Sequence, residues 1–173
     1  MRPWIVTFSG LPGVGKSTVS RMLAEGTGAL WLRIDDIEAA MRNSHMQVND
    51  LADGGYAAAQ AVAGAALEQG FCVVADCVNP IELTRRGWRE PARRTGAGHL
   101  DVEVICSNPD LHRRRVEMRR DAPKGVQLPD WKDVLARDYE PFEGALRVDT
   151  ARLSAAEAVT RIRAEMEGRG WLS

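Results

Sequence analysis

Long apolar runs are missing from this 173-residue sequence, and no window approaches the roughly 18 apolar residues of a membrane span, so none is expected. Cysteine is scarce. Cys72, Cys77 and Cys106 are far apart, and two lie inside apolar runs, which predicts reduced, mostly buried thiols in place of a disulfide frame. No His/Cys spacing suited to a structural metal occurs. Excess charge of one sign is lacking too: a formal net charge of -1 argues against a general nucleic-acid or membrane coat. Lysine is nearly absent, since only Lys16, Lys124 and Lys132 of the 23 basic residues are lysines. An arginine-rich genome accounts for that bias, yet the guanidinium fork suits phosphate, so the positions of the arginines matter. The first residues run straight into a strand-like segment without the apolar stretch of a secretory signal, and a cytoplasmic protein is expected.

At 45% hydrophobic and 27% charged residues, the composition is that of one globular domain spanning 1–173. Strand-length apolar runs occur at Trp4 to Phe8, Leu30 to Ile34, Phe71 to Ala75, Val102 to Cys106 and Leu146 to Val148. Helix-compatible stretches separate them: Ser17 to Glu25, Ile37 to Met41, Tyr56 to Gln69, Ile81 to Arg94, Asp110 to Arg120, Trp131 to Asp138 and Ala155 to Glu167. Ser154 with Glu157 reads as a capping box for the last of these. Nearly continuous apolar strands alternating with amphipathic helices imply a parallel sheet covered on both faces, a three-layer α/β sandwich.

The most specific signal is Gly10-Leu11-Pro12-Gly13-Val14-Gly15-Lys16-Ser17, which matches G-x-x-x-x-G-K-[ST] between a strand and a helix. Its glycines let backbone N–H groups converge on phosphate oxygens at a helix N-terminus. Lys16 is expected on the β- and γ-phosphates of ATP, the Ser17 hydroxyl on Mg²⁺, and Thr18 near the α-phosphate. Two acid stations follow. The second strand ends in Arg33-Ile34-Asp35-Asp36-Ile37-Glu38, where Asp35 with Glu38 also fits a capping box, and the third ends in Ala75-Asp76-Cys77-Val78-Asn79-Pro80. Strand ends of an open parallel sheet face the ligand crevice, which brings both to the phosphate loop. A carboxylate there can take a proton from an attacking hydroxyl, and Asp76 can hold Mg²⁺ through water or orient the substrate. Asn79 and Pro80 read as the cap and first residue of the next helix.

Through Gly10 to Thr18, Ile34-Asp35-Asp36, Ala75 to Pro80 and an arginine-rich helix beginning at Leu111, the chain resembles the P-loop kinases of the small AAA-33-like ATPase group. That group is similar to polynucleotide kinase, zeta toxin, gluconate kinase, chloramphenicol phosphotransferase and adenylylsulfate kinase. The resemblance implies five parallel strands in the order 2-3-1-4-5 with a small lid at about 108–130. It also implies transfer of the γ-phosphoryl of ATP to a hydroxyl, with Asp35 as base and Asp36 in reserve. Asp36, Arg42, Asp76 and Asn79 are then expected on the substrate side with Asp35. Pro12, Val14 and the loop holding Thr150 are expected around the nucleotide, the latter near adenine. Arg115 and Arg119, at i and i+4, are assigned to the ATP phosphates as lid arginines, ahead of Arg113 and Arg120. His112 reads as a surface residue and Trp88 as core.

The acceptor stays open. Polynucleotide kinases carry an arginine where this chain has Glu38, although Arg42 lies one turn on, so a small molecule is expected and a nucleic acid is not. The adenylylsulfate kinase substrate segment Phe-Ile-Ser-Pro has no counterpart, although Asp138-Tyr139-Glu140-Pro141 is shared. The contrasting class is a nucleotide-binding ATPase or switch module, against which count the absence of a glutamate beside Asp76 and of a guanine-reading Asn-Lys-x-Asp.

Overall fold

In the computed structural model, which describes residues 2–45, 50–119 and 128–172, five strands form one parallel sheet in the order β2-β3-β1-β4-β5. The strands are β1 (Trp4–Ser9), β2 (Leu30–Arg33), β3 (Val73–Asp76), β4 (Gly98–Ile105) and β5 (Leu146–Asp149). The helices are α1 (Lys16–Thr27), α2 (Ile34–Arg42), α3 (Gly54–Glu68), α4 (Glu82–Thr95), α5 (Pro109–Met118), α6 (Trp131–Ala136) and α7 (Ala155–Gly168). The expected order and three-layer arrangement are both present.

Alternation along the strands divides the core into two layers. Trp4, Val6 and Phe8 of β1 pack with Leu100, Val102, Val104 and Val148 against Val19 and Leu23 of α1 and Ile162 and Met166 of α7. On the opposite face Ile5, Val73 and Ala75 meet Ala59, Ala63 and Leu67 of α3 and Trp88 of α4. Both capping boxes, Ser154 with Glu157 and Asp130 with Asp133, close reciprocally, and Asn108 caps α5 by accepting the Leu111 N–H at 3.0 Å.

Several boundaries differ from the sequence reading. Strand β3 starts at Val73, because Phe71 stays exposed. Strand β4 begins at Gly98, four residues ahead of its apolar run, because His99 and Asp101 are absorbed by β1: the Thr7 hydroxyl donates to Asp101 Oδ1 at 2.6 Å. A polar row therefore disguises half of this strand. No loop separates β2 from α2, which begins at Ile34. Asn79 is not a helix cap: it adopts φ 45, and α4 starts at Glu82 behind Ile81. Of the expected lid, α5 is helical, while residues 120–127, with Arg120, lie outside the described residues.

Trp88 is fully buried and donates its indole N–H to Asn79 Oδ1 at 3.2 Å, so it fixes α4 and the turn after β3 together. Replacing it by alanine is expected to lower the unfolding free energy by about 3–5 kcal/mol in urea titrations. A loss below about 1 kcal/mol would contradict this anchoring role.

Candidate functional site

The phosphate loop owes its path to glycine at two positions. Gly10 has φ 141, and a Cβ there would run into the Val104 carbonyl of the neighbouring strand. Gly13, at φ 83, would place a Cβ 2.5 Å from Val116 Cγ2, so only glycine lets α5 approach the loop this closely. The loop is then tied from three directions. Gly10 N–H donates to Val78 O at 3.0 Å, linking it to the end of β3. Lys16 Nζ donates to Leu11 O at 3.0 Å from within. His112 Nε2 meets Pro12 O at 2.8 Å from α5, its ring packed edge-on against Trp131. His112 is buried and is not the surface residue that sequence suggested.

A cavity of about 770 Å³ opens along this loop, a size suited to a nucleotide and a small second substrate. Pro12, Gly13, Gly15, Lys16, Ser17 and Thr18 line it together with Arg115, Arg119 and Thr150. Val14 is buried in the core beneath the loop. Thr150 acts as a bridge. Its hydroxyl donates to Val14 O at 2.7 Å and accepts from Arg115 Nη1 at 2.8 Å, while Arg115 Nη2 donates to Thr150 O at 3.2 Å. Helix α5 ends at Met118, so Arg119 does not continue the helical face of Arg115, as the i, i+4 spacing predicted. Its extended backbone carries the guanidinium across the cavity to within 3.8 Å of Asp35 Oδ2. Arg113 points away and pairs with Glu117 at 2.7 Å.

The acid stations meet the loop from the first turn of α2 and the end of β3. The Asp35 carboxylate is 45% exposed and lines the cavity with Ile34, Glu38 and Arg42, all on α2. Glu38 is paired with Arg42 at 3.2 Å. Asp36 lies off the cavity wall, exposed and bonded to Arg33. Asp76 is buried, and burial pushes its carboxyl above the usual range while Lys16, Ser17 and Arg33 oppose that shift. Lys16 is lowered for the same reason, dehydration, with Asp76 and Asp35 pulling it back. Asp76 Oδ2 makes no hydrogen bond. A buried oxygen lone pair without a donor, beside the Ser17 hydroxyl, is the kind of ligand Mg²⁺ takes. Among the described residues no cluster of three or more His, Cys, Asp and Glu side chains forms a metal cage, so the pair fits an ion completed by phosphate and water.

Asn79 is not part of the wall. It is fully buried: its side chain donates to Phe8 O, and its backbone N–H donates to the Tyr56 hydroxyl at 3.1 Å, so it is placed to shape the turn and not to touch a substrate. Two arginines carried no sequence signal. Arg85, buried within α4, donates to the carbonyls of Asn79, Pro80, Glu140 and Pro141 between the rings of Tyr139 and Phe142. It locks the turn after β3 to the segment following α6, both bordering the cavity. Only its place on the buried stripe of α4 could have marked it. Arg33, at the end of β2, pairs with three aspartates, two close by in sequence and one across the strand ladder.

A five-stranded parallel sheet of this order, with a phosphate loop after the first strand and acids at the two neighbouring strand ends, is the P-loop kinase fold. The chain belongs to the AAA_33 family (AAA domain), whose model matches residues 5–141. No curated protein matches the sequence. Among solved structures it is similar to a candidate kinase from Chloroflexus aurantiacus j-10-fl, at 18% identity and TM-score 0.74 over 96% of this chain and 97% of that one. It is also similar to the Mycobacterium tuberculosis APS kinase CysC in complex with AMPPNP and APS, at 19% identity and TM-score 0.69 over 96% and 98%. A gluconokinase from Sinorhizobium meliloti 1021 matches at 21% identity and TM-score 0.64 over 97% and 98%. These likenesses establish a shared fold.

Because Thr150 joins Arg115 to the loop, Thr150→Val is expected to cost about 1 kcal/mol of stability and to weaken binding of a fluorescent ATP analogue. Thermal unfolding and titration read the two effects, and a variant unchanged in both would show that the bridge carries no weight.

Proposed function

We propose that the protein is an ATP- and Mg²⁺-dependent phosphotransferase acting on a hydroxyl of a small molecule. The observation that carries this reading is the convergence of Lys16, Asp35 and Arg119 on one cavity. Loop N–H groups and the α1 N-terminus would receive the phosphates of ATP. Lys16, at present donating to the Leu11 carbonyl, would carry positive charge onto the leaving group. Ser17 and Asp76 would hold Mg²⁺, which when bound neutralises charge on the β- and γ-oxygens.

Asp35 supplies the base. An acceptor hydroxyl beside its carboxylate loses its proton to Asp35 as its oxygen bonds to the γ-phosphorus. The bond from that phosphorus to the bridging oxygen breaks, and ADP departs with the electron pair. Arg119 stands at the same oxygen of Asp35 and, once phosphates are present, is placed to turn toward them and release the base. Arg115, held by Thr150, closes the opposite side. Asp36 points off the cavity, which favours Asp35 between the two.

The acceptor lobe beyond Asp35 is lined by Tyr56, Val78, Pro80 and Thr84, with Arg42 and Arg137. A wall of mixed polarity beside Asp35 supports a small molecule over an ATPase or switch module, which needs no second-substrate wall. Glu38 stands where polynucleotide kinases carry an arginine, and it engages Arg42 at 3.2 Å, which favours a small molecule over a polynucleotide. No helix among the described residues is long and apolar enough to cross a membrane. A cytoplasmic site of action belongs to the same reading.

Incubation with γ-labelled ATP and a panel of hydroxyl metabolites, antibiotics and nucleosides tests it: one small acceptor should take up label, whereas release of phosphate alone would favour the ATPase module. Lys16→Ala should abolish transfer. Asp35→Asn should keep nucleotide affinity near wild type while turnover falls about a hundredfold or more. Full turnover in that variant would move the base to Asp36.

A further inference from the structure

We infer that Arg33 is the built-in counter-cation of the acid edge, a positioning residue that holds Asp35 and Asp76 in register before a divalent ion arrives and against whose charge that ion must bind. The inference rests on the nucleotide reading above for its Mg²⁺ and on this chain's geometry for everything else.

Arg33 is the last residue of β2 and the direct ladder partner of Asp76 on β3. Its side chain is only 10% exposed. One planar guanidinium faces three carboxylates from two elements: Nη2 lies 3.5 Å from Asp35 Oδ2, Nη1 3.3 Å from Asp36 Oδ1, and Nε 3.9 Å from Asp76 Oδ2. Three acids on adjacent strand ends repel one another. A rigid fork sets its one positive charge among all three, hydrogen-bonded through Nη1 to Asp36 Oδ1 and within ion-pair distance of Asp35 and Asp76, a placement that a flexible ammonium does not fix. The other cations of this region are committed differently: Lys16 comes from the loop side, Arg119 reaches Asp35 from just past the end of α5, and Arg42 serves Glu38.

The oxygen of Asp76 nearest Arg33 is the same Oδ2 that makes no hydrogen bond. A divalent ion attracted to that carboxylate therefore meets a resident positive charge a few ångströms away. Arg33 preforms the site and, by repulsion, weakens its hold on the ion. Removing the charge should tighten Mg²⁺ binding, and keeping the charge while losing the fork should not.

The test titrates Mg²⁺ into wild type, Arg33→Gln and Arg33→Lys, each with a fluorescent ATP analogue at one fixed pH. Analogue binding in EDTA should be alike in all three, since the loop is untouched. The half-saturating Mg²⁺ concentration should fall by a factor of about five or more in Arg33→Gln and stay near wild type in Arg33→Lys. A second measurement does without nucleotide: Mg²⁺ alone should raise the melting temperature of Arg33→Gln more than that of wild type. Equal or weaker Mg²⁺ response of Arg33→Gln in both measurements overturns the role of Arg33. Wild type that binds the analogue neither with nor without Mg²⁺ overturns the nucleotide reading instead, and the melting comparison still decides on Arg33.

Discussion

A buried lysine beside a buried aspartate, at the point where three parallel strands end, is the constraint on which the rest of the site depends. Lys16 and Asp76 are both dehydrated, each shifted toward its neutral form by burial and each held back by the other's charge. Such a pair gives little net stability, because removing two ions from water costs several kcal/mol per ion before their attraction repays it. It survives because Arg33, Ser17 and the loop carbonyls surround it. A buried cation beside a loop of backbone N–H groups suits a visiting polyanion, which is how such a pair differs from a core.

Geometry follows from that pair outward. Gly10 lets the loop leave β1 under the Val104 carbonyl, and Gly13 lets α5 close on it, so the phosphate loop, Arg115, Arg119, Asp35 and Asp76 share one cavity. Thr150 and His112 fasten α5 and the last loop to the phosphate loop with hydrogen bonds to Val14 and Pro12. Arg85 does the same on the acceptor side with four carbonyls. Each clamp joins segments distant in sequence through a backbone carbonyl, which leaves the side-chain chemistry of the cavity available.

Those clamps mark where sequence reasoning stopped. The phosphate loop was legible because its residues act on their own neighbours, and the strand order followed from the family resemblance that it helped to carry. Asp35 and Asp76 were legible because strand ends of a parallel sheet must face the crevice. His112, Arg33 and Arg85 were not, since their meaning depends on partners about 40 to 100 residues away or across a strand ladder. Asn79 looked like a cap beside proline, but its left-handed backbone and the Trp88 indole turn it inward. The start of β4 was hidden because His99 and Asp101 find their partner, Thr7, on another strand.

The claim on which all this turns is spatial: the terminal phosphate of a nucleotide seated in the loop lies next to Asp35. A crystal structure with Mg²⁺ and a non-hydrolysable ATP analogue measures it directly. The account predicts the phosphates along the loop, the ion between Ser17 and the Asp76 side, and the Asp35 carboxylate facing the γ-phosphorus across a gap that one hydroxyl fills. A γ-phosphate directed away from Asp35, or the Asp35 carboxylate still closed off by Arg119 with the analogue bound, would contradict it.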